Sequence, residues 1–265
     1  MSEILSTSML TRRFKDVIAV DALTVSVNAG EVFGLLGRNG SGKTTLIKML
    51  TTLLAPTAGS AAVGGYDVVR DAAAVRRLIG YVPQALSADG ELTGYENLWI
   101  FARLYDIPRA RREARIREGL AFMGLTEQRD KLVKSYSGGM IRRLEIAQAM
   151  LHQPELMFLD EPTVGLDPVA REIVWEHIER LRADYGTTIF FTTHYMDEAE
   201  HLCTRAAIMR RGKMMAVGTV DALKTAVGGG ATLDDVFVHY TGDTAEEAGA
   251  YDETAAMRRA ARKLS

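Results

Sequence analysis

Cysteine is almost absent. Cys203 is the single one in 265 residues, which excludes an intramolecular disulfide and fits a reducing compartment. Its expected role is that of a small buried residue in a helix. No apolar run reaches the roughly 18 to 20 residues that a membrane-spanning helix needs. Charge of neither sign dominates either. The 32 Lys and Arg face 34 Asp and Glu, a formal net charge of −2, so the chain has no basic field of the kind that draws nucleic acid, and no nucleic-acid partner is expected. The first residues, MSEILSTSMLTRRFKD, show no basic segment followed by an apolar core, so no secretory signal is read there. What is left is an ordinary soluble composition, 47% hydrophobic and 25% charged, with ample length to bury a core.

Periodicity supplies the organisation. Leu23–Val27 alternates apolar and polar residues and reads as a strand with one exposed face. A buried strand follows over 31–36, then a glycine-rich turn and a helix. A short strand is expected near 60–63 and an extended run at Leu78–Val82. From Thr93 to about Gly124 the pattern turns helical, with Pro108 breaking it into two helices, and another helix runs from Gly139 to Leu151. Strand and helix then alternate: a strand over Glu155–Leu159, a helix over Val169–Ala183, a strand over Thr187–Thr192 and a helix over Met196–Leu202. A hairpin turning at Arg211-Gly212-Lys213 comes next. The expected fold is α/β, a mixed and largely parallel sheet flanked by helices, with an all-helical subdomain at about 86–152 inserted in it. The segment after Gly242 is weakly patterned, acidic at Glu246 and Glu247 and basic at Arg258, Arg259, Arg262 and Lys263.

Chemistry concentrates in three places. Residues 37–45 read GRNGSGKTT directly after Val32-Phe33-Gly34-Leu35-Leu36, a phosphate loop in its required place between strand and helix. Its glycines, Gly37, Gly40 and Gly42, let successive backbone N–H groups ring a polyphosphate, with Asn39, Ser41 and Thr45 in the same cradle. Lys43 adds a point charge for the β- and γ-phosphates and Thr44 a hydroxyl for Mg²⁺. The following helix aims its N-terminal dipole at the same anion. Second, Leu156–Leu159 leads into Asp160 and Glu161. Asp160, at the end of a buried strand, is placed to share the Mg²⁺ with Thr44, and Glu161 to act as general base for a water. Third, Ser137-Gly138-Gly139 opens a helix and reads equally as an ordinary capped helix or as a second anion site, far from the first in sequence.

In this order, these motifs resemble those of the ATP-binding-cassette ATPases, over about residues 4–225, with 226–265 as a C-terminal extension. Ser137-Gly138-Gly139 resembles the family's signature, Gln84 its Q-loop, Gly165-Leu166-Asp167 its D-loop and His194 its H-loop; Phe14 matches the aromatic position that stacks on adenine. The resemblance implies a phosphate-loop NTPase core with an N-terminal antiparallel part and a helical signature subdomain. It implies ATP and Mg²⁺ as cofactors and a head-to-tail homodimer. In such a dimer Ser137, Gly138 and Gly139 contact the γ-phosphate held by the other subunit. His194 would bond the γ-phosphate of the nucleotide in its own subunit's loop and help hold the attacking water, and Gln84 would reach the Mg²⁺ or the water. Two departures stand out: Tyr136 replaces a leucine and Met140 a glutamine, which cannot make the amide hydrogen bond.

Segment 85–136 is long enough for a helical subdomain but not for a long coiled coil, which argues against chromosome-maintenance relatives. A single cassette argues against tandem-cassette translation factors. The stretches Thr193–Glu200 and Ala231–Phe237 resemble the daunorubicin-resistance type of exporter subunit. That resemblance implies an ABC-2 type permease as partner, a peripheral place on the cytoplasmic membrane face, and export of a drug-like or lipid-like compound. An apolar groove near Leu98, Phe101 and Leu104 would favour such a partner, though residues at this spacing are more often simply core. The alternative is a soluble regulatory ATPase that clamps a cytosolic partner.

Overall fold

The computed structural model describes residues 2–242; the charged positions noted at 246–263 lie outside the described residues. Two long strands, β1 (Glu3–Phe14) and β2 (Val17–Asn28), precede β3 (Val32–Leu36) and α1 (Lys43–Leu50). Then come β4 (Ala58–Val63), β5 (Tyr66–Asp67), α2 (Ala72–Leu78) and β6 (Ile79–Val82). Helices α3 (Gly94–Leu104), α4 (Arg109–Phe122) and α5 (Gly138–Met150) follow. The chain then alternates through β7 (Leu156–Asp160), α6 (Pro168–Tyr185), β8 (Thr188–Thr193) and α7 (Met196–Leu202). It continues with the hairpin β9 (Arg205–Arg210) and β10 (Lys213–Thr219), then α8 (Val220–Val227) and α9 (Leu233–Thr241).

One sheet is antiparallel, in the order β2-β1-β4-β5. The other, β10-β9-β3-β8-β7-β6, is parallel except at β10. β3, β7 and β8 are buried at every position, as central parallel strands covered on both faces must be. Phe33, Phe190 and Phe158 stand in register across them, neighbouring ring centroids 5.4 Å apart. Such aromatic pairs add about 0.5–1.5 kcal/mol each beyond the area they bury. β3 lies between β8 and β9: the chain leaves it toward β6 on one side and later passes from β8 to β9 on the other, so the strand order reverses at β3 and a crevice opens at its C-terminal end. Here β8 lies between β3 and β7, so Asp160 faces the phosphate loop across a strand rather than from the adjacent one.

The helical part is built on local signals. Thr93 caps α3 in a reciprocal box with Glu96: the Glu96 N–H donates to Thr93 Oγ1 and the Thr93 N–H to Glu96 Oε2. Pro108 stands at the start of α4. Leu98, Ile116, Leu120 and Leu144 share one core with Leu159 and Phe191 of the sheet, which fixes the helices to the sheet face behind the crevice. Sequence periodicity misses α2 because only Val75 in it is fully buried. The expected boundary at 225 falls inside α8, and α9 packs Leu233, Val236 and Phe237 against Leu36 and Ile208.

Cys203 sits just past the end of α7 rather than within it. Its thiol pKa is pushed well above the usual range by burial, which leaves it an inert packing group. A Cβ on Gly34 would overlap its Sγ. Gly34→Ala is therefore expected to cost about 1–3 kcal/mol by overpacking, and Cys203→Ala in the same chain to recover most of it. Thermal unfolding of the three variants checks this; an unshifted Gly34→Ala protein would refute the contact.

Candidate nucleotide-binding site

Residues 37–42 turn tightly because two glycines are sterically required. Gly42 has φ +110°, and a Cβ there would collide with the Ala19 carbonyl of β2. A Cβ on Gly37 would meet Ser41 Oγ and the Met209 carbonyl, 2.7 Å away. α1 starts immediately afterwards, so its free N–H groups face the loop. Asn39 and Gly40 are exposed at the rim and Thr45 is half-buried. Ser41 Oγ is buried with no hydrogen-bond partner among the described residues.

Lys43, 4% exposed, donates to the carbonyls of Gly37 (2.6 Å) and Arg38 (3.3 Å). Its Nζ also lies 3.1 Å from Glu161 Oε1. Burial lowers the lysine pKa, while the charges of Glu161 and Asp160 oppose that. Polyphosphate oxygens would offer Lys43 stronger partners than the two carbonyls do.

Asp160 is 1% exposed. Its Oδ1 accepts from Thr192 Oγ1 (2.6 Å) and Thr44 Oγ1 (3.3 Å), while Oδ2 is buried with no partner among the described residues. An unpaired buried carboxylate oxygen beside a hydroxyl fits a divalent cation. Among the described residues no cluster of three or more His, Cys, Asp or Glu could hold a metal. One carboxylate oxygen and one hydroxyl are a donor set compatible with an ion such as Mg²⁺, which keeps waters and takes other ligands from phosphates.

Glu161 follows in a left-handed backbone conformation, φ +49°, held because its N–H donates to both the hydroxyl and the carbonyl of Thr192. Gln84 Nε2 donates to its Oε2 (3.3 Å), and His194 Nδ1 stands 3.2 Å from the same oxygen. Burial pushes the carboxyl pKa up, but the His194 contact and the Lys43 charge outweigh it and hold the group below the usual range. Lys43, Gln84, Glu161 and His194 thus come from four different chain segments and meet on one carboxylate. Gln84 reaches Glu161 here, not Asp160.

The remaining predicted residues lie apart. Ser137 caps α5, its Oγ accepting from the Met140 N–H (3.3 Å). Gly138 and Gly139 approach Leu166 and Ala170; a Cβ on Gly139 would come within 2.8 Å of Ala170 Cβ. Among the described residues no hydrogen bond joins 137–139 to 37–45. Phe14 ends β1, 43% exposed, with the Arg12 guanidinium 4.5 Å from its ring centroid. Both departures in the signature have a packing explanation. Met140 packs against the helical core, and Tyr136 is buried with its hydroxyl donating to the Gln128 carbonyl (2.7 Å). Leu98 is fully buried and Phe101 packs against the core, as the commoner reading has it, while Leu104, 70% exposed, faces solvent along with Trp99 and Ile100.

Sequence reading passed over Thr192 and Glu198. Thr192 is one of three threonines in β8, TIFFTT, so nothing in the strand's sequence singles it out. Glu198, fully buried, accepts from Thr163 Oγ1 (2.8 Å) and Trp175 Nε1 (3.0 Å). It thereby ties the turn after Glu161 to α7.

Thr192→Val keeps the side-chain shape but removes the link between Asp160 and Glu161. It is expected to cost about 1–3 kcal/mol in denaturant unfolding and to weaken the Mg²⁺ dependence of nucleotide binding. A variant that matches the parent in both would discount the link. Burial raises the Glu198 pKa despite its hydrogen bonds. A folded-state pKa above the unfolded one gives stability that is full below the unfolded value and lost as pH rises toward the folded one. Glu198→Gln removes that titration. As pH rises above the ordinary carboxyl range the parent chain should therefore lose stability relative to the variant, measured by urea unfolding; parallel curves would contradict the assignment.

The sequence profile described as ABC transporter matches residues 20–164. The daunorubicin/doxorubicin resistance ATP-binding protein DrrA of Streptomyces peucetius is 46% identical over 224 residues, 84% of this chain and 68% of that protein. The linearmycin resistance ATP-binding protein LnrL of Bacillus subtilis is 40% identical over 210 residues, covering 79% and 67%. A solved ATP-binding subunit of an ABC transporter superposes with a TM-score of 0.80 at 31% identity, over 89% of this chain and 99% of that one. The parallel sheet, the phosphate loop at its crevice and these similarities together make this chain a member of the ABC transporter ATP-binding family.

Proposed function

We propose that this chain binds and hydrolyses ATP with Mg²⁺ as the motor subunit of an exporter. The observation that carries the reading is the convergence of Lys43, Gln84 and His194 on buried Glu161, beside Asp160 with its unpaired oxygen. Phe14 would stack on adenine, residues 37–45 would cradle the phosphates, and Thr44 and Asp160 would hold the Mg²⁺. Held there, the metal would supply charge neutralisation for the phosphates. As nucleotide arrives, Lys43 exchanges its loop carbonyls and Glu161 for phosphate oxygens. Glu161 then loses a partner that depresses its pKa and becomes a better base. A water oxygen attacks the γ-phosphorus, its proton passes to Glu161, and the bond to the β–γ bridging oxygen breaks. His194 orients the γ-phosphate.

Ser137, Gly138 and Gly139 point to a second copy of this chain, since they lie apart from the loop of their own subunit and offer helix N–H groups at an exposed N-terminus. ATP would close a head-to-tail homodimer and hydrolysis would open it. Among the described residues no helix is long and apolar enough to cross a membrane; the membrane path would be supplied by a permease, of the ABC-2 type by resemblance. Exposed Leu86, Trp99, Ile100 and Leu104 offer it an apolar footing at the cytoplasmic membrane face. The resistance functions in the relatives' names support a drug-like cargo, with lipid-like compounds as the neighbouring class.

Glu161→Gln is expected to lower phosphate release by about 10²- to 10⁴-fold while ATP still binds and drives dimerisation, read by analytical ultracentrifugation with and without ATP. A Glu161→Gln chain that stays monomeric with saturating ATP would overturn the dimer mechanism. Co-purification with a membrane permease supports the transporter reading, and a purely soluble pool supports the regulatory ATPase.

A further inference from the structure

The segment after β6 has no regular structure of its own before α3, and Gln84, Ala85, Leu86 and Ser87 are exposed. Such a loop is ordinarily mobile. Here its backbone is fastened from below by three polar side chains of α5, each only 2% exposed: Arg142, Glu145 and Gln148. The Arg142 guanidinium forks across two consecutive carbonyls, donating from Nη1 to Pro83 O and from Nη2 to Gln84 O, both at 2.7 Å. Nη1 also donates to Glu145 Oε2 at 2.9 Å. The other Glu145 oxygen accepts from the Ser87 N–H and from Ser87 Oγ. Gln148 Nε2 donates to Asn97 Oδ1 at 3.3 Å, and Asn97 in turn holds the Asp89 N–H and carbonyl.

A buried ion pair of this kind gives little net stability, because desolvation offsets the attraction. Packing alone would be served as well by apolar residues on this face of α5. The pair does specify geometry: two carbonyls and an amide of the loop are held to one helix. That helix starts at Ser137, and its regular hydrogen bonds make it stiff over the short distance to Arg142. At the loop's near end, the Gln84 side chain sits on Glu161.

We infer that Arg142 and Glu145 are positioning residues for ATP hydrolysis, clamping the Gln84 loop to the signature helix so that Gln84 approaches or leaves Glu161 only together with that helix. The inference rests on the reading of Glu161 as the base and of Ser137 and Gly139 as contacts to the partner's γ-phosphate. Closure of the dimer on Ser137 is then passed to Gln84 as rigid displacement. Leaving one charge of the pair buried alone would risk the fold, so the informative variant is Arg142→Met with Glu145→Leu, which removes both. Arg142→Lys is the milder companion, since an ammonium cannot fork across two carbonyls.

The test uses the full chain with Mg-ATP. In the double variant kcat should fall about ten- to a hundredfold, the scale set by misplacing one catalytic group, with KM unchanged. Adding Gln84→Ala to it should cost nothing more, while Gln84→Ala alone lowers the parent's kcat. That non-additivity is a readout a merely structural pair would not give. Hydrogen exchange of the nucleotide-free chain should also quicken at the Ser87 amide and leave 156–160 at the parent rate. A parental kcat in the double variant, a fully additive Gln84→Ala effect, or unchanged exchange at Ser87 would each overturn the clamp. Should the parent chain itself release no phosphate, the ATPase reading falls separately. Exchange at Ser87 with and without ATP in the Glu161→Gln background then decides the clamp: coupled changes at 84–89 and 137–141 uphold it, and independent ones refute it.

Discussion

Glu161 keeps its charge in a buried place that opposes it, and the geometry around it follows from how that cost is met. The carboxylate is 5% exposed, and alone it would take up a proton. Lys43 from the phosphate loop, Gln84 from the far side of β6 and His194 from the end of β8 surround it instead. Each partner arrives because a strand of the parallel sheet ends at the same level. Thr192 sets that level: it lies between β3 and β7 and binds Asp160 with its hydroxyl and the Glu161 amide with both its oxygens. A shift of one residue in the register of β8 would replace that hydroxyl and separate the two carboxylates from the loop.

The same arrangement makes the site responsive to nucleotide. Lys43 is the residue best suited to a polyphosphate and also one of the groups that depress the Glu161 pKa. A polyphosphate and Glu161 would therefore compete for one ammonium group, and the nucleotide's success would free the base. Coupling outward uses a different material. The loop bearing Gln84 has no secondary structure to stiffen it, and the buried Arg142–Glu145 pair supplies the stiffness by tying it to α5. Tyr136 anchors the start of the same helix to Gln128, so the residue that departs from the family's leucine secures the helix by a hydrogen bond as well as by burial.

Much of this was readable in one dimension. The phosphate loop, the Asp160–Glu161 pair, the capped start of α5 and the hairpin at Arg211-Gly212 are local patterns: a steric demand for glycine, a strand exit, a helix cap, a turn. Each is fixed by residues within a few positions of one another. Strand β7 and helix α7 were found because the alternation of apolar runs with helical periodicity is strong there. α2 escaped because it buries one face only at Val75. Leu98 proved to be core, the commoner reading for its spacing, but periodicity shows only that a helix has an apolar face and not that α4 and α5 cover it.

The sequence by itself determined which groups can bind phosphate, hold a cation or take a proton, because those capacities belong to the side chains and to the loop that carries them. Only the tertiary structure decided which of them meet. Strand order placed β8 between the loop and the two carboxylates, and made Thr192 the joint of the site. Folding also turned Arg142 and Glu145, unremarkable charges on a helix, into a buried grip on a loop more than fifty positions away in the chain. Spacing along the sequence carries no record of such contacts, since what selects them is the shared burial of α5 and β6 against one core.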